Sequence, residues 1–236
     1  MEREIVVATY NVHRWTGLNG RSEPDPARAG FVISELHADV IALQEVLRPL
    51  EGPDPLELLA DALGLHLAFA ATRLHRRGGE IGNAILARWP IRSVSTLDLS
   101  FSRLERRVAV AARVSGDETS LAVVATHLAL VDRTRRRQVR SLLEHPELNS
   151  GPAILLGDMN AWRRCAATRT LDRELGAHEG EEWPASFPAA RPLLALDRVY
   201  ARGARILELR AHETLAARRA SDHLPVVARV ELPEAH

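Results

Sequence analysis

The sequence predicts an α/β layered sandwich, with mixed sheets covered by helices, and three observations predict it. Apolar strand patterns occur both in direct runs and in alternation with amphipathic stretches, which requires antiparallel and parallel pairing in one structure. Two Asp-Pro pairs, Asp25-Pro26 and Asp54-Pro55, open helical patterns with a capping acid and a proline in the first turn. Several of the apolar strands also stop abruptly at an acid, an amide or an imidazole.

Residues 4–11 (EIVVATYN) form the first strand pattern, ending in Asn11 and followed by His13. Residues 15–24 carry the Gly, Asn and Ser content of a loop. The helix opened by Asp25-Pro26 places Ala29, Val32, Ile33 and Leu36 on one face, so it lies on a sheet. Residues 39–45 (DVIALQE) read as a second strand terminating in Gln44 and Glu45. The next helix covers residues 56–63 and closes at Gly64. A strand over 65–70 follows, then a loop rich in Arg and Gly over 75–79.

Residues 83–87 and 91–97 are consecutive strands bent at Trp89-Pro90. Strands over 107–114 and 121–126 are joined by Ser115, Gly116 and Asp117, and the second ends in His127. Residues 132–143 form a helix with an exposed cationic face of Arg133, Arg135, Arg136, Arg137 and Arg140. The most informative strand, residues 153–160 (AILLGDMN), is apolar until Asp158 and Asn160, which point toward the same side. A helical stretch covers 165–175, and an irregular Glu, Trp and Pro segment follows. Strands over 194–200, with Asp197 embedded, and over 206–212 come next, and Ser221-Asp222-His223 precedes the last strand, 225–231.

At 236 residues the chain is long enough for a single α/β domain over 1–236, with no linker or low-complexity block. Formal net charge is +0, which argues against a global basic field for non-specific nucleic-acid binding. Every basic residue counted in that balance is arginine, a bidentate phosphate ligand. The lone Cys165 excludes an internal disulfide and fits a reducing compartment. The first strand begins by Glu4 and no apolar run reaches membrane-spanning length, so the expected location is cytoplasmic.

Singly, each polar strand end has an ordinary explanation. Asn11 suits a turn, Glu45 a solvated strand end, His127 a half-buried histidine and Ser221-Asp222 a turn cap, while Asp197 has Arg198 as a neighbour. Together they describe one crevice at the strand ends, where α/β sheets hold ligands. Glu, Asp, Asn and His without a thiolate suit a hard cation, Mg²⁺ or Mn²⁺.

The segments ATYNVH, LQEV, GNAILAR, ERRVAV, ATHL, GDMNAW, ALDRVY and SDHLPV, in this order, resemble the signature segments of the endonuclease/exonuclease/phosphatase superfamily, the DNase I-like fold. That resemblance implies four layers, two mixed sheets face to face between helices. It implies a Mg²⁺- or Mn²⁺-dependent phosphoric ester hydrolase with Glu45 as the principal metal carboxylate, assisted by Asn11 and Asp222. Asp158 matches the acid that positions or deprotonates water, and Asn160 the amide on a phosphate oxygen. His223 matches the essential histidine, general base or phosphate stabiliser, with Asp197 orienting it and His127 at a phosphate-contacting or leaving-group position. His13, Asn83 and Arg107 fall at phosphate- or substrate-binding positions. His13 stands where many abasic-site endonucleases carry an acid, the chain after His127 reads LAL without their Pro-Asn pair, and Ser186-Phe187-Pro188 resembles the bacterial phosphatase-type branch.

The expected activity is therefore hydrolysis of a phosphodiester or phosphomonoester by in-line water attack, in a protein expected to be monomeric. The alternative is a nuclease on DNA or RNA, with Arg73, Arg76, Arg77 and the arginine helix tracking a phosphate backbone. A non-catalytic binding module would require a missing ligand or base, and every core position is present.

Overall fold

The computed structural model describes residues 3–76, 78–101, 105–116, 119–176 and 182–233. In chain order the elements are β1 (Arg3–Asn11), a short turn His13–Trp15, α1 (Pro26–Glu35), β2 (Val40–Arg48), α2 (Pro55–Leu63), β3 (His66–Leu74), β4 (Glu80–Ala87), β5 (Ile91–Asp98), β6 (Val108–Gly116) and β7 (Thr119–His127). Then come α3 (Asp132–Leu143), β8 (Ala153–Asp158), α4 (Ala166–Leu171), β9 (Asp197–Arg202), β10 (Arg205–Ala211), α5 (Ala217–Ala220) and β11 (Val226–Leu232). One sheet has the order β10-β11-β1-β2-β4-β3 and the other β5-β6-β7-β8-β9.

The two sheets pack face to face, burying Val7, Val40, Ala42 and Ile85 of the first against Val110, Val123, Ile154 and Leu156 of the second. The outer face of the first sheet, with Leu43 and Leu86, is covered by Ile33 of α1 and Leu56 of α2. The outer face of the second, with Val124 and Leu155, is covered by Val139 and Leu142 of α3 and Leu171 of α4. The result is the expected four-layered α/β sandwich. Because β8 buries Ile154 and Leu156 on one face and Ala153 and Leu155 on the other, its sequence is continuously apolar rather than alternating. Full burial of one such side chain contributes ~1.5–3 kcal/mol, so the inner layers hold the strand ends at fixed spacing.

Both sheets contain one parallel pair whose strands finish at the same end of the sandwich. In the first, β1 runs parallel to β2 with Asn11 opposite Gln44. In the second, β7 runs parallel to β8 with His127 opposite Asp158, and antiparallel β9 places Asp197 opposite Asp158. Three polar residues thus form a row across three adjacent strands.

Several local expectations change. Asp54 caps α2 by accepting from Leu56 N at 2.9 Å, but Asp25 makes no such bond and pairs with Arg28 at 2.8 Å. The second strand does not end at Glu45; it continues to Arg48 through a bulge in which the pairing jumps from Leu43–Ala84 to Val46–Gly82. The predicted strand over 194–200 begins only at Asp197, so that acid is the first residue of β9 at the rim instead of a mid-strand residue. Arg135 is not on the exposed face of α3: it is buried, with Nη1 donating to the carbonyls of Ala129, Leu130 and Asn160 at 3.0, 2.8 and 2.7 Å. Arg77 and Asp117 lie outside the described residues.

Candidate active site

The site is centred on one carboxylate oxygen. Asp158 Oδ2 receives Asn11 Nδ2 at 3.2 Å across the two sheets, stands 3.3 Å from His127 Nε2 and lies 3.7 Å from His223 Nε2. Its Oδ1 accepts the backbone N–H of Asn160 at 2.8 Å. Asp158 is brought this close to its neighbour strand by Gly157, where a Cβ would fall 1.9 Å from the Thr126 carbonyl oxygen. His127 is buried, and desolvation, followed by the nearby Arg107 charge, depresses its pKa to about 3. With the ring neutral, its 3.3 Å approach to Asp158 is a dipolar contact and not an ion pair.

His223 is set up in the opposite way. Its Nδ1 lies 2.7 Å from Asp197 Oδ2, and that oxygen also accepts Ser186 Oγ at 2.6 Å. Burial acts to lower the pKa of His223, but Asp197, Asp158 and Asp222 outweigh it and raise the ring to about 10. One ring face is covered by Phe187, with centroids 4.9 Å apart. Its backbone N–H reaches Ser221 Oγ at 3.3 Å, and Ser221 in turn donates to the Asn11 carbonyl at 2.6 Å. Two chain segments far apart in sequence are thereby locked together.

On the other side stand Glu45, Asp222 and His13. Glu45 is one of the two residues that bulge opposite Asn83, and it has φ +52°. The extra residue switches the strand's alternation, so that Ile41, Leu43 and Val46 all face the same outer core. Glu45 Oε2 is closed off from solvent and accepts no aligned hydrogen bond, although Arg14 Nη1 is 3.2 Å away. The carboxyl of Asp222 is pushed up by burial and then by the Glu45 charge, against the pull of His223 and His13. His13 Nδ1 sits 3.2 Å from Asp222 Oδ1 and 2.9 Å from the Gly17 carbonyl oxygen. His13, Arg14, Trp15, Glu45 and Asn160 all have positive φ, a left-handed backbone conformation that L residues adopt at a cost of ~1–2 kcal/mol each. Such residues collect where function needs them.

The remaining expected residues have protein partners. Asn160 Nδ2 donates to the Leu128 carbonyl at 2.8 Å, fastening the exits of β7 and β8. Asn83 Nδ2 donates to the Val108 carbonyl at 2.6 Å and so ties β4 to β6. Arg107 Nη2 pairs with Glu105 at 2.9 Å, close enough to His127 to act on its charge. Sequence reasoning did not assign Arg14 to Glu45 or Arg135 to the Asn160 carbonyl. No periodicity carries either pairing, because both depend on loop conformation.

The ligand atoms of Asp158, Asp197 and His223 all lie within 4.8 Å of one another, close enough for a shared cation. Two face-to-face sheets with acids, amides and imidazoles gathered on one rim define a layered α/β class with a polar site at its strand ends. Residues 8–223 match the sequence profile of the Endonuclease/Exonuclease/phosphatase family, and the chain belongs to that family. It is 32% identical over 253 aligned residues to the uncharacterized protein YbhP of Escherichia coli K12, covering 96% of each chain. Its structure is similar to an endonuclease/exonuclease/phosphatase from Beutenbergia cavernae, with TM-score 0.79, 25% identity, and 99% of this chain and 72% of that one covered. It also resembles in fold the mannosyl-6-phosphatase Bt3783 of Bacteroides thetaiotaomicron (TM-score 0.73, 16% identity, 96% and 99% covered). D. rerio TDP2 complexed with a single-strand DNA product is a further neighbour in fold (TM-score 0.70, 16% identity, 96% and 98% covered). Among the described residues, no helix is long and apolar enough to cross a membrane.

Proposed function

We propose that this protein hydrolyses a phosphodiester or phosphomonoester outside duplex DNA, with Mg²⁺ or Mn²⁺ as cofactor. The observation that carries the reading is the convergence on Asp158 Oδ2 of Asn11, His127 and His223, with His223 itself held by Asp197.

The residues fit a divalent cation. A Glu45 oxygen closed off from solvent, with no aligned hydrogen bond and the Arg14 guanidinium 3.2 Å away, beside a second carboxylate that burial and then the Glu45 charge push up, is an oxygen-rich arrangement that suits a hard cation. Glu45, Asp222 and Asn11 would hold it, and when bound it supplies charge withdrawal from a phosphoryl oxygen. The Asp158, Asp197 and His223 cluster is the weaker choice for a metal. Its imidazole and Ser186 already share Asp197 Oδ2, at 2.7 and 2.6 Å, in an arrangement that orients the ring.

The chain's own groups then divide the labour. Asn160 N–H, Asn11 and His127 fix both oxygens of Asp158, so that its carboxylate can orient a water for in-line attack and accept its proton. In a loose phosphoryl-transfer transition state such positioning counts for more than early proton removal. His223, kept cationic by Asp197, offers its Nε2–H to the charge that develops on phosphorus-bound oxygen, an interaction of the kind worth ~3–4 kcal/mol in other enzymes.

Nuclease action on DNA or RNA is the second reading. Exposed Arg133, Arg136, Arg137 and Arg140 on α3, and exposed Arg73 and Arg76, favour it, and the neutral charge balance opposes it.

The deciding experiment is a screen with Mg²⁺ and Mn²⁺ over nucleic acid, phospholipid and sugar-phosphate esters, run beside His223→Ala. Metal-dependent turnover that this variant abolishes is expected. Undiminished turnover in the variant, or none on any ester class, would overturn the reading, and plasmid nicking would move it to the nuclease alternative.

A further inference from the structure

An open cleft of about 920 Å³ lies on the same rim, lined by Thr72, Asp98, Ser100, Phe101, Arg106 and Arg137. Its position relative to the chemistry follows from strand order. The rim of the five-stranded sheet reads Asp197, Asp158 and His127 on β9, β8 and β7, and then, two strands further, Asp98 on β5 opposite Val108 of β6. Val108, which also lines the cleft, stands on β6 next to His127, so at ~4.8 Å per strand the cleft starts about 5 Å from His127 and reaches Asp98 about 10 Å away, within a sugar unit of a phosphoryl group held at Asp158.

The walls of this cleft are tied down. Leu99 N donates to the Arg107 carbonyl at 2.8 Å, and Arg107 N donates to Ser100 Oγ at 3.1 Å. Gln138, fully buried on α3, donates to the Leu99 carbonyl at 2.9 Å and accepts the Ala129 N–H at 2.8 Å. The same side chain thus joins α3 both to the cleft wall and to the strand exit that follows His127. With the helix fixed in this way, the Arg137 guanidinium sits 4.5 Å over the Phe101 ring centroid.

A ring stacked with a guanidinium, half-buried and facing an open cleft, is a flat platform for another planar group. Aromatic platforms of this kind bind nucleobases through their π-faces, and arginine adds a cation–π contribution. Arg106 supplies a bidentate donor for a sugar-phosphate oxygen, and Asp98 an acceptor for an exocyclic amine. The volume is within the range of nucleotide-sized sites. A lipid tail would meet mainly polar and charged side chains here, and a bare sugar would leave the platform unmatched.

We propose that this cleft is a nucleoside subsite: a base stacks on Phe101 and Arg137 while its esterified phosphate reaches Asp158 and His223. The proposal rests on the phosphoester reading and narrows its substrate class to nucleoside-bearing esters.

The test is calorimetric titration of the protein with 5′-AMP and with ribose 5-phosphate, using wild type, Phe101→Ala and the surface variant Arg137→Gln. A second arm compares kcat/KM for thymidine 5′-p-nitrophenyl phosphate with that for bis-p-nitrophenyl phosphate. We expect 5′-AMP to bind at least tenfold tighter than ribose 5-phosphate, that margin to vanish in Phe101→Ala and shrink in Arg137→Gln, and Phe101→Trp to restore it. The kcat/KM ratio should fall about tenfold in Phe101→Ala. Equal binding of the two ligands, or a margin untouched by both platform variants, overturns the subsite. Cleavage of the generic diester without nucleoside preference sinks the subsite and leaves the phosphoesterase reading standing. Base-dependent binding without cleavage of either ester does the reverse.

Discussion

His223 Nδ1 and Asp197 Oδ2 stand 2.7 Å apart, joining the segment before β11 to the first residue of β9. This contact, reinforced by Asp158 and Asp222, holds the ring protonated to about 10 although burial acts against it. Removing the charge of Asp197 while keeping its shape, in Asp197→Asn, should return the His223 titration toward its ordinary 6.5 in a ring NMR titration. Turnover should fall by ~10²–10³, the usual scale when one donor to a developing oxyanion is lost. A ring that still titrates near 10 in this variant would show that Asp197 does not set its charge.

The two site histidines shape stability against pH in opposite windows. His223 has a raised folded pKa, so its contribution is complete below about 6.5 and is lost as pH rises through about 10. His127 stays neutral in the folded state down to about 3, while the unfolded ring takes a proton below 6.5, so stability is lost as pH falls across that interval. Each effect has a limiting slope of ~1.4 kcal/mol per pH unit inside its window. Urea unfolding of EDTA-treated protein should show the acid limb flattened in His127→Gln and the alkaline limb flattened in His223→Gln. Limbs that keep their slopes in these variants would contradict both assignments.

Glu45→Gln keeps the shape of the side chain and the bulge that aims it, but removes the charge that acts on Asp222. Binding of Mg²⁺, followed by calorimetry rather than by turnover, should weaken by at least ~10-fold. An unmoved Mg²⁺ affinity would transfer the cation to the Asp158, Asp197 and His223 cluster.

Arg135→Met should be costly in spite of a similar side-chain length. Three carbonyls, of Ala129, Leu130 and Asn160, lose the donor they share, and buried unpaired groups cost ~1–3 kcal/mol each. A stability loss of about 2–5 kcal/mol in urea unfolding is expected, with Arg135→Lys recovering part of it. A loss well below 1 kcal/mol would mean that water replaces the guanidinium.

Much of this was legible along the chain, and the reason is local. Residues 153–158 announce a strand buried on both faces because no position in it tolerates a polar group until Asp158. Asp54-Pro55 and Gly64 mark both ends of α2 because capping chemistry acts within a few residues. What the chain hides is equally specific. Arg135 belongs by composition to a cationic face, yet helical position turns it inward, where carbonyls at strand exits supply its partners. An acid at Glu45 reads as a strand ending, whereas a bulge lets β2 pass and re-aims the acid.

By itself the sequence determined which residue types stand at the ends of which strands and how the layers alternate, since period, caps and turn chemistry are encoded over short spans. The tertiary structure alone decided that Asn11 reaches Asp158 from the opposite sheet, that His127 is neutral while His223 is charged, and that Asp222 feels the Glu45 charge. Those outcomes depend on how two sheets register across their common core and on how much water each group loses there. Neither quantity is carried by any neighbouring residue along the chain.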